Sequence, residues 1–169
     1  MRYLTIFAGI ALLFCTSALS AQPNNASFAG KWVINAAKCD GNEAAIKKLQ
    51  IDPGTLKIDQ SPNKMVIEGF RIDPVDGSST MEKMAFRLDG QQSRNDNDSV
   101  FNVSHATWSD NGNKLTISTK TSTIHNDRKY SFNTVEVYSL EHGNLVVDVT
   151  YDNPYTERKY TAVYDRATR

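Results

Sequence analysis

Alternation of apolar and polar residues is the feature that most limits what this chain can fold into. From about residue 30 onward, segments rich in Val, Ile, Thr, Tyr and Phe are separated by short clusters of Gly, Pro, Asn, Asp and Ser. A period of two residues is typical of β-strands whose two faces meet different surroundings. The pattern predicts strands over residues 30–35, 55–60, 64–70, 80–88, 99–108, 114–121, 129–140, 145–151 and 159–165.

The connections between these strands are short and rich in turn-forming residues. Clusters such as 61–63, 110–113 and 141–144 favour tight hairpins, and none leaves room for a crossover helix. Neighbouring strands should therefore pair antiparallel as a meander. Because a long open sheet leaves two exposed edges, closure is favoured. We predict an all-β fold, a single antiparallel meander closing into an eight- to nine-stranded barrel, with a two-sheet sandwich as the alternative.

Only the segment near 42–50 has helical character. Asn42 can cap a helix, and Ile46 and Leu49 lie one turn apart on the same face. Pro53-Gly54 would end such a helix. The sequence therefore predicts one short helix near 42–50 within the barrel domain.

The first 21 residues differ in composition from the rest of the chain. Arg2 precedes an uncharged apolar run over 4–14, and small residues collect at 17–21. This three-part layout is typical of a secretory signal, and the run is shorter than the roughly 20 apolar residues of a membrane-spanning helix. We predict a signal peptide over 1–21, a barrel domain over 22–169, and a secreted or periplasmic protein without a membrane span after signal removal.

Charge and cysteine content exclude several classes of protein. The chain has 19 Lys and Arg against 19 Asp and Glu, so its formal net charge is zero. This balance argues against a nucleic-acid binder, because such a protein needs a basic surplus or patch. Cys15 lies in the predicted signal, so Cys39 is the single thiol that remains. One thiol excludes a disulfide-stapled fold and a cysteine zinc cluster. Cys39 is interpreted as a small, buried or half-buried residue, with an intermolecular disulfide as the alternative.

A resemblance to lipocalins begins at the first predicted strand. Phe28-Ala29-Gly30-Lys31-Trp32 resembles the Gly-x-Trp signature that opens the lipocalin barrel, and Tyr164-Asp165-Arg166 is similar to the closing segment of related secreted proteins. The second lipocalin signature, Thr-Asp-Tyr, is missing, and 134–138 only echoes it. The chain thus resembles the divergent members of this group.

The resemblance implies how the barrel is closed. Trp32 would lie across the closed end with the guanidinium of Arg166, from the last strand, stacked on its indole. Such a cation–π contact stabilises by roughly 0.5–2 kcal/mol, depending on desolvation. Gly30 would let the backbone approach closely just before the ring. All three residues therefore have a structural role in this prediction.

The larger and more apolar side chains of the predicted strands share one parity, which predicts that they face inward. These residues mix aromatic with polar groups, as small-molecule cavities do. The predicted ligand-binding residues are Trp108, Ile117, Phe132, Glu136, Tyr138, Val147, Val149 and Tyr160. The alternative is that they fill the barrel completely. An inward Glu136 must be paired or face water, and Arg87, Arg166 or a ligand cation are candidate partners.

No catalytic constellation is recognised. The sequence has no nucleophile elbow, zinc-protease helix or phosphate-binding loop. His105 and His125 lie at opposite ends of an expected hairpin, which could bring them together, and His142 lies in a predicted turn. They have no ligand-spaced neighbours, and the tract 95–99 is interpreted as a solvated hairpin loop rather than a calcium loop. We expect no enzyme activity, no cofactor and no metal.

Two functions are compatible with these features, with an enzyme built on the same barrel as a distant third. The first is binding or transport of a small, largely apolar molecule by a monomeric secreted or periplasmic barrel. The second is a filled barrel that acts as a protein-interaction module or protease inhibitor, with the segment 22–27 as a contact arm. A protein partner belongs to the second function, and a small apolar partner to the first.

Overall fold

The computed structural model describes residues 25–41, 54–72, 79–97, 99–125 and 128–168. The signal peptide predicted over 1–21 and the helix predicted near 42–50 lie outside these residues. Within the described ranges, no helix is long and apolar enough to cross a membrane.

The described chain is almost entirely β-structure, as the sequence predicted. Every strand pairing is antiparallel, and each predicted strand has a counterpart. The strands are β1 Gly30–Ile34, β2 Asp40–Gly41, β3 Thr55–Ser61, β4 Lys64–Ile72, β5 Ser79–Arg87, β6 Ser93–Asp96, β7 Val100–Trp108, β8 Lys114–His125, β9 Arg128–Glu141, β10 Asn144–Asn153 and β11 Thr156–Arg166.

Two short strands were not predicted. β2 has two residues, too few for an alternating pattern to show. β6 includes Asn95 and Asp96, so the interpretation of 95–99 as a hairpin loop is wrong for these two residues. Asn and Asp favour turns, but here the neighbouring strand β7 supplies backbone partners that override this local preference.

The strands form one nearly closed barrel. Their order in the sheet is β5-β4-β3-β1-β11-β10-β9-β8-β7-β6, so the first strand pairs with the last. The register places Trp32 opposite Arg166 and Ile34 opposite Tyr164. The predicted meander and its closure are confirmed. The two ends of this order are β5 and β6, so the break in the barrel lies in the middle of the chain.

β1 and β2 run along the same strand, β11, and are separated by a short excursion. A 3₁₀ helix over Ala36–Lys38 leaves the sheet, and Asp40–Gly41 rejoins it. Hydrogen bonds from Lys38 and Asn35 to Asp165 hold the excursion against β11 and lower the pKa of that carboxyl. The Cys39 thiol is half-buried in this excursion and donates to the Asn35 carbonyl at 3.3 Å, as expected for a small packing residue.

One end of the barrel is covered by residues 25–29, which we call the N-terminal strap. The Ala26 N–H donates to the carbonyl of Gly112 at 2.8 Å. The Gln60 side chain accepts from the Phe28 N–H and donates to the Ala26 carbonyl, each at 2.8 Å, and so replaces a strand partner. Phe28 is 0% exposed, and its ring stacks on Trp108 with 5.8 Å between ring centroids. The strap therefore closes this end with a buried aromatic side chain.

The turn between β5 and β6 is organised by Asp89. The Arg87 guanidinium and then the Gln91 N–H donate hydrogen bonds to this carboxyl, which lowers its pKa from 3.8 to about 2. Because the folded pKa is depressed, the contact stabilises the fold above about pH 4, and the stabilisation is lost as the pH falls through about 2.

We expect Arg87→Gln to return the Asp89 pKa toward 3.8, because it removes the largest cause of the shift. A carbon-detected NMR titration of the carboxyl measures this. The matched control is Arg94→Gln. Arg94 pairs with Asp96, so this variant should leave the pKa of Asp89 at about 2. An unchanged Asp89 pKa in Arg87→Gln would contradict the assignment.

Candidate functional site

The candidate site is the inner wall of the barrel, and the register shows which side chains form it. One line of paired residues crosses β7 to β11 through Trp108, Leu115, Tyr138, Val147 and Ala162. The next crosses the same strands through Ala106, Ile117, Glu136, Val149 and Tyr160. Phe132 lies opposite Thr121, two lines further from the strap. The structure therefore places all eight predicted ligand-binding residues on one face of the sheet.

Near the strap, this face is a packed apolar core, which we call the floor. Four of the predicted ligand-binding residues belong to it, and Trp108 and Tyr160 pack against it half-buried. The floor consists of Phe28, Trp32, Ile58, Met65, Met84, Phe86, Leu88, Ala106, Leu115, Ile117, Tyr138, Leu145, Val147 and Val149. The strap end of the barrel is thus filled by side chains.

Further from the strap, the inward side chains of β6 to β9 are small and polar. The paired residues Ser93, Ser104, Thr119 and Thr134, which we call the hydroxyl belt, lie side by side on four strands. All four are buried, and Ser104 and Thr119 share a hydrogen bond of 2.8 Å. The interior thus has an apolar floor beneath a hydroxyl-lined upper part.

The hydroxyl belt was missed by sequence reasoning, although the signal for it is present. The alternation that turns Ala106 and Trp108 inward also turns Ser104 inward, and the same period on β8 selects Thr119. These residues were not singled out because a buried face is expected to be apolar. Hydrogen bonds between Ser104 and Thr119, and from the Arg87 N–H to Ser93, make the burial of these three residues tolerable.

Glu136 is half-buried on the inner wall at the boundary between floor and belt. The Tyr138 hydroxyl donates to its carboxylate at 3.2 Å. The predicted arginine partners lie elsewhere. Arg87 pairs with Asp89 in the turn between β5 and β6, and the Arg166 guanidinium lies over the Trp32 ring. Each arginine thus has a partner close to its own position.

The residues predicted to close the barrel lie together. The Trp32 indole is 1% exposed, its N–H donates to the Phe28 carbonyl at 2.9 Å, and the Arg166 guanidinium carbon is 4.7 Å from its ring centroid. Gly30 has φ +146°, and a Cβ there would lie 3.3 Å from the Arg166 Nη1. A side chain at this position would therefore strain the backbone and crowd the guanidinium.

The histidines are not brought together. His105 pairs with Ser118, and His125 lies seven positions further along β8, about 23 Å away. The suggestion that the hairpin unites them is therefore wrong, because they lie at different levels of the same strand pair. His142 lies in a tight turn at φ 52°. Among the described residues, no group of three or more His, Cys, Asp or Glu side chains is arranged to hold a metal ion.

Two grooves border the wall. One of about 310 Å³ lies where β2, β10 and β11 meet and is lined by Asp40, Asp148, Val149, Thr150, Lys159, Tyr160 and Thr161. The other, of about 370 Å³, is lined by Lys120, Ser131, Phe132, Asn133, Asp152, Asn153 and Pro154. Three predicted ligand-binding residues, Val149, Tyr160 and Phe132, thus border grooves lined mainly by polar residues.

Solved structures with a similar fold are known. A protein described as the REP1-NXSQ fatty acid transporter matches with a TM-score of 0.52 at 14% identity, over 83% of this chain and 96% of that one. The zebrafish ileal bile acid-binding protein, in complex with cholic acid, matches with a TM-score of 0.53 at 15% identity, over 83% and 98%. No protein-family model and no curated protein sequence matches the chain. At these identities the likeness establishes a shared barrel fold.

Proposed function

We propose that this protein binds or carries a small amphipathic molecule with a large apolar part, outside the cytoplasm. The observation that carries the proposal is the two-part interior, an apolar floor beneath a buried hydroxyl belt. Small-molecule sites combine a mainly apolar lining with a few placed polar groups. A molecule with an apolar body and a polar group matches both parts at once.

The ligand contacts follow from which inner residues still have exposed surface. Phe132, Glu136 and Tyr160 are half-buried, whereas Ile117 and Val147 are buried in the floor. We therefore assign direct contact to the first three and support of the site to the floor residues. The ring of Phe132 lies 5.0 Å from that of Tyr151 and extends the apolar surface upward.

The structural neighbours support the chemical class. One is named a fatty acid transporter and the other a bile acid-binding protein, and neither name describes an enzyme. Both named ligands combine an apolar body with a polar group. The location outside the cytoplasm rests on the signal-like pattern of residues 1–21.

A second candidate is a protein-interaction module, for which the outer surface offers one observation. Phe101 and Ile124 are exposed on the outer face of the β7–β8 pair, where Phe101 lies opposite Ser122. Adjacent exposed apolar side chains are typical of contact surfaces. The packed floor is also compatible with a barrel that carries no ligand.

Binding of 1-anilinonaphthalene-8-sulfonate to delipidated protein tests the first function. We expect the dye to bind and oleate or cholate to displace it. Tyr160→Ala should weaken dye binding about tenfold, because a lost aromatic contact of about 1.4 kcal/mol corresponds to that factor. The matched control is Tyr155→Ala, since Tyr155 is 90% exposed in a turn and should leave the affinity unchanged.

Native mass spectrometry of protein purified from its own host separates the two functions. A retained small molecule supports the first, and a co-purified polypeptide supports the second. The measured chain mass also reports whether residues 1–21 have been removed.

In the dye experiment, equal affinities for the Tyr160→Ala and Tyr155→Ala variants would contradict the proposed ligand contact of Tyr160.

A further inference from the structure

The two edges of the sheet meet between β5 and β6, at a junction that we call the seam. Among the described residues, these strands have no paired register, whereas every other pair of neighbours does. Side chains bridge the seam instead. The Asn95 amide accepts from the Ala85 N–H at 2.8 Å and donates to the Ala85 carbonyl at 3.0 Å, and the Ser93 hydroxyl accepts from the Arg87 N–H at 2.7 Å. We call Ser93 and Asn95 the latch.

The latch is weaker than the ladders around it. On its other side, β6 pairs with β7 at every position from Ser93 to Asp96. A ladder bond is held by its neighbours on both sides, whereas a side-chain amide can rotate away about its own bonds. Among the described residues, the latch bonds go to Ala85 and Arg87, so they hold the end of β5 that lies nearest the β5–β6 turn.

The strap end is held more firmly than the seam. The strap bonds to the β7–β8 turn through Gly112 and to β3 through Gln60, and Phe28 and Trp32 fill the space beneath it. Opening this end would expose two fully buried aromatic rings to water, which is unfavourable. The seam therefore opens at a lower free-energy cost than the strap end.

Opening the seam leads directly to the polar part of the interior. Ser93 of the latch is also the first member of the hydroxyl belt, and its register partner Ser104 is 0% exposed. On the β5 side, Met84 is buried on the inner wall. A molecule that enters between these strands meets an apolar side chain on one side and hydroxyl groups on the other.

We propose that the seam is an opening through which the barrel interior exchanges molecules with solvent, and that Asn95 and Ser93 set the rate of exchange there. As the route of a ligand, this inference rests on the proposed function. The opening itself is a property of the fold and is measured without a ligand.

Thiol labelling tests the opening. A Ser104→Cys reporter is placed in a Cys39→Ser background, and its reaction with iodoacetamide is followed by mass spectrometry. We expect Asn95→Ala to raise the labelling rate about tenfold, because both latch bonds of Asn95 are lost. Ser122→Ala is the matched control, since it removes a 3.0 Å side-chain bond to Ser131 where the backbone ladder remains.

A second reporter separates seam opening from general loosening. Val146→Cys places a thiol at a buried position of the opposite parity on β10, which general unfolding exposes and seam opening does not. An equal rise at both reporters, an equal rise in the Ser122 control, or no rise at Ser104→Cys would each overturn the proposal. A rise confined to the Ser104 reporter supports it.

The ligand route is tested by stopped-flow mixing with 1-anilinonaphthalene-8-sulfonate. Asn95→Ala should raise the association and dissociation rate constants by the same factor and leave Kd unchanged, because a gate alters the rates of passage and not the bound state. Unchanged rate constants, with faster labelling, would show that the ligand passes elsewhere. If the dye does not bind the parent protein, the proposed function fails, while the labelling result still decides whether the seam opens.

Discussion

Trp32→Ala should lower the free energy of unfolding by about 3–5 kcal/mol, the usual cost of truncating a buried Trp. The indole is 1% exposed, bonds to the Phe28 carbonyl and carries the Arg166 guanidinium on its face. Its loss removes packing from the floor and the contact that joins the first strand to the last. For a chain of this length, we expect the Tm to fall by about 10 °C.

Two further variants separate packing from the cation–π contact. Arg166→Leu removes the guanidinium and leaves the indole packed, so its cost should be about 0.5–1 kcal/mol. Trp32→Phe keeps an aromatic ring and serves if the alanine variant does not fold. Denaturant unfolding followed by circular dichroism measures all three. A Trp32→Ala midpoint equal to that of the parent would remove the structural role of the indole.

Phe28→Ala should have an effect of similar size, about 3–5 kcal/mol, although Phe28 precedes the first strand. Its ring is 0% exposed, stacked on Trp108 and tilted against Tyr138 at 6.1 Å. Removing it leaves a cavity beneath the strap and opens Trp108 to water. Trp108 emission, recorded in a Trp32→Phe background, should therefore shift to longer wavelength.

The matched control for this prediction is Phe101→Ala. Phe101 is 38% exposed on the outer face, so the same substitution should cost less than about 1 kcal/mol. If both phenylalanine variants unfold at the same denaturant concentration, the strap does not stabilise the barrel. Because Trp32 bonds to the Phe28 carbonyl, the two large effects should not add in a double variant.

The strands could be predicted from the sequence because their alternation has a direct physical cause. Most buried side chains of β7 to β11 recur at every second residue, so the inner wall follows from parity, although Ser139, Val146 and Val163 of the opposite parity are buried as well. The contact of Trp32 with Arg166 was predicted from a family resemblance. Spacing along the chain could not predict it, because the two residues lie at opposite ends of the barrel domain in sequence.

The seam and the partners of the polar groups could not be predicted. Asn95 has the local preference of a turn residue, and its role as a backbone substitute depends on the unpaired edge of β5 beside it. The partner of Arg87 is Asp89, two residues away, rather than the inward Glu136, since short-range pairing costs less side-chain entropy. Tertiary packing determines these hydrogen-bond and ion-pair partners, and a local sequence pattern carries no information about it.

Pairing of the first strand with the last has a consequence for how the protein is made. β1 lacks one of its two neighbours until β11 exists, so the barrel cannot be completed on the ribosome before β11 emerges. Contacts between such distant segments form slowly. Closure between β1 and β11 is therefore expected to follow formation of the hairpins that join neighbouring strands.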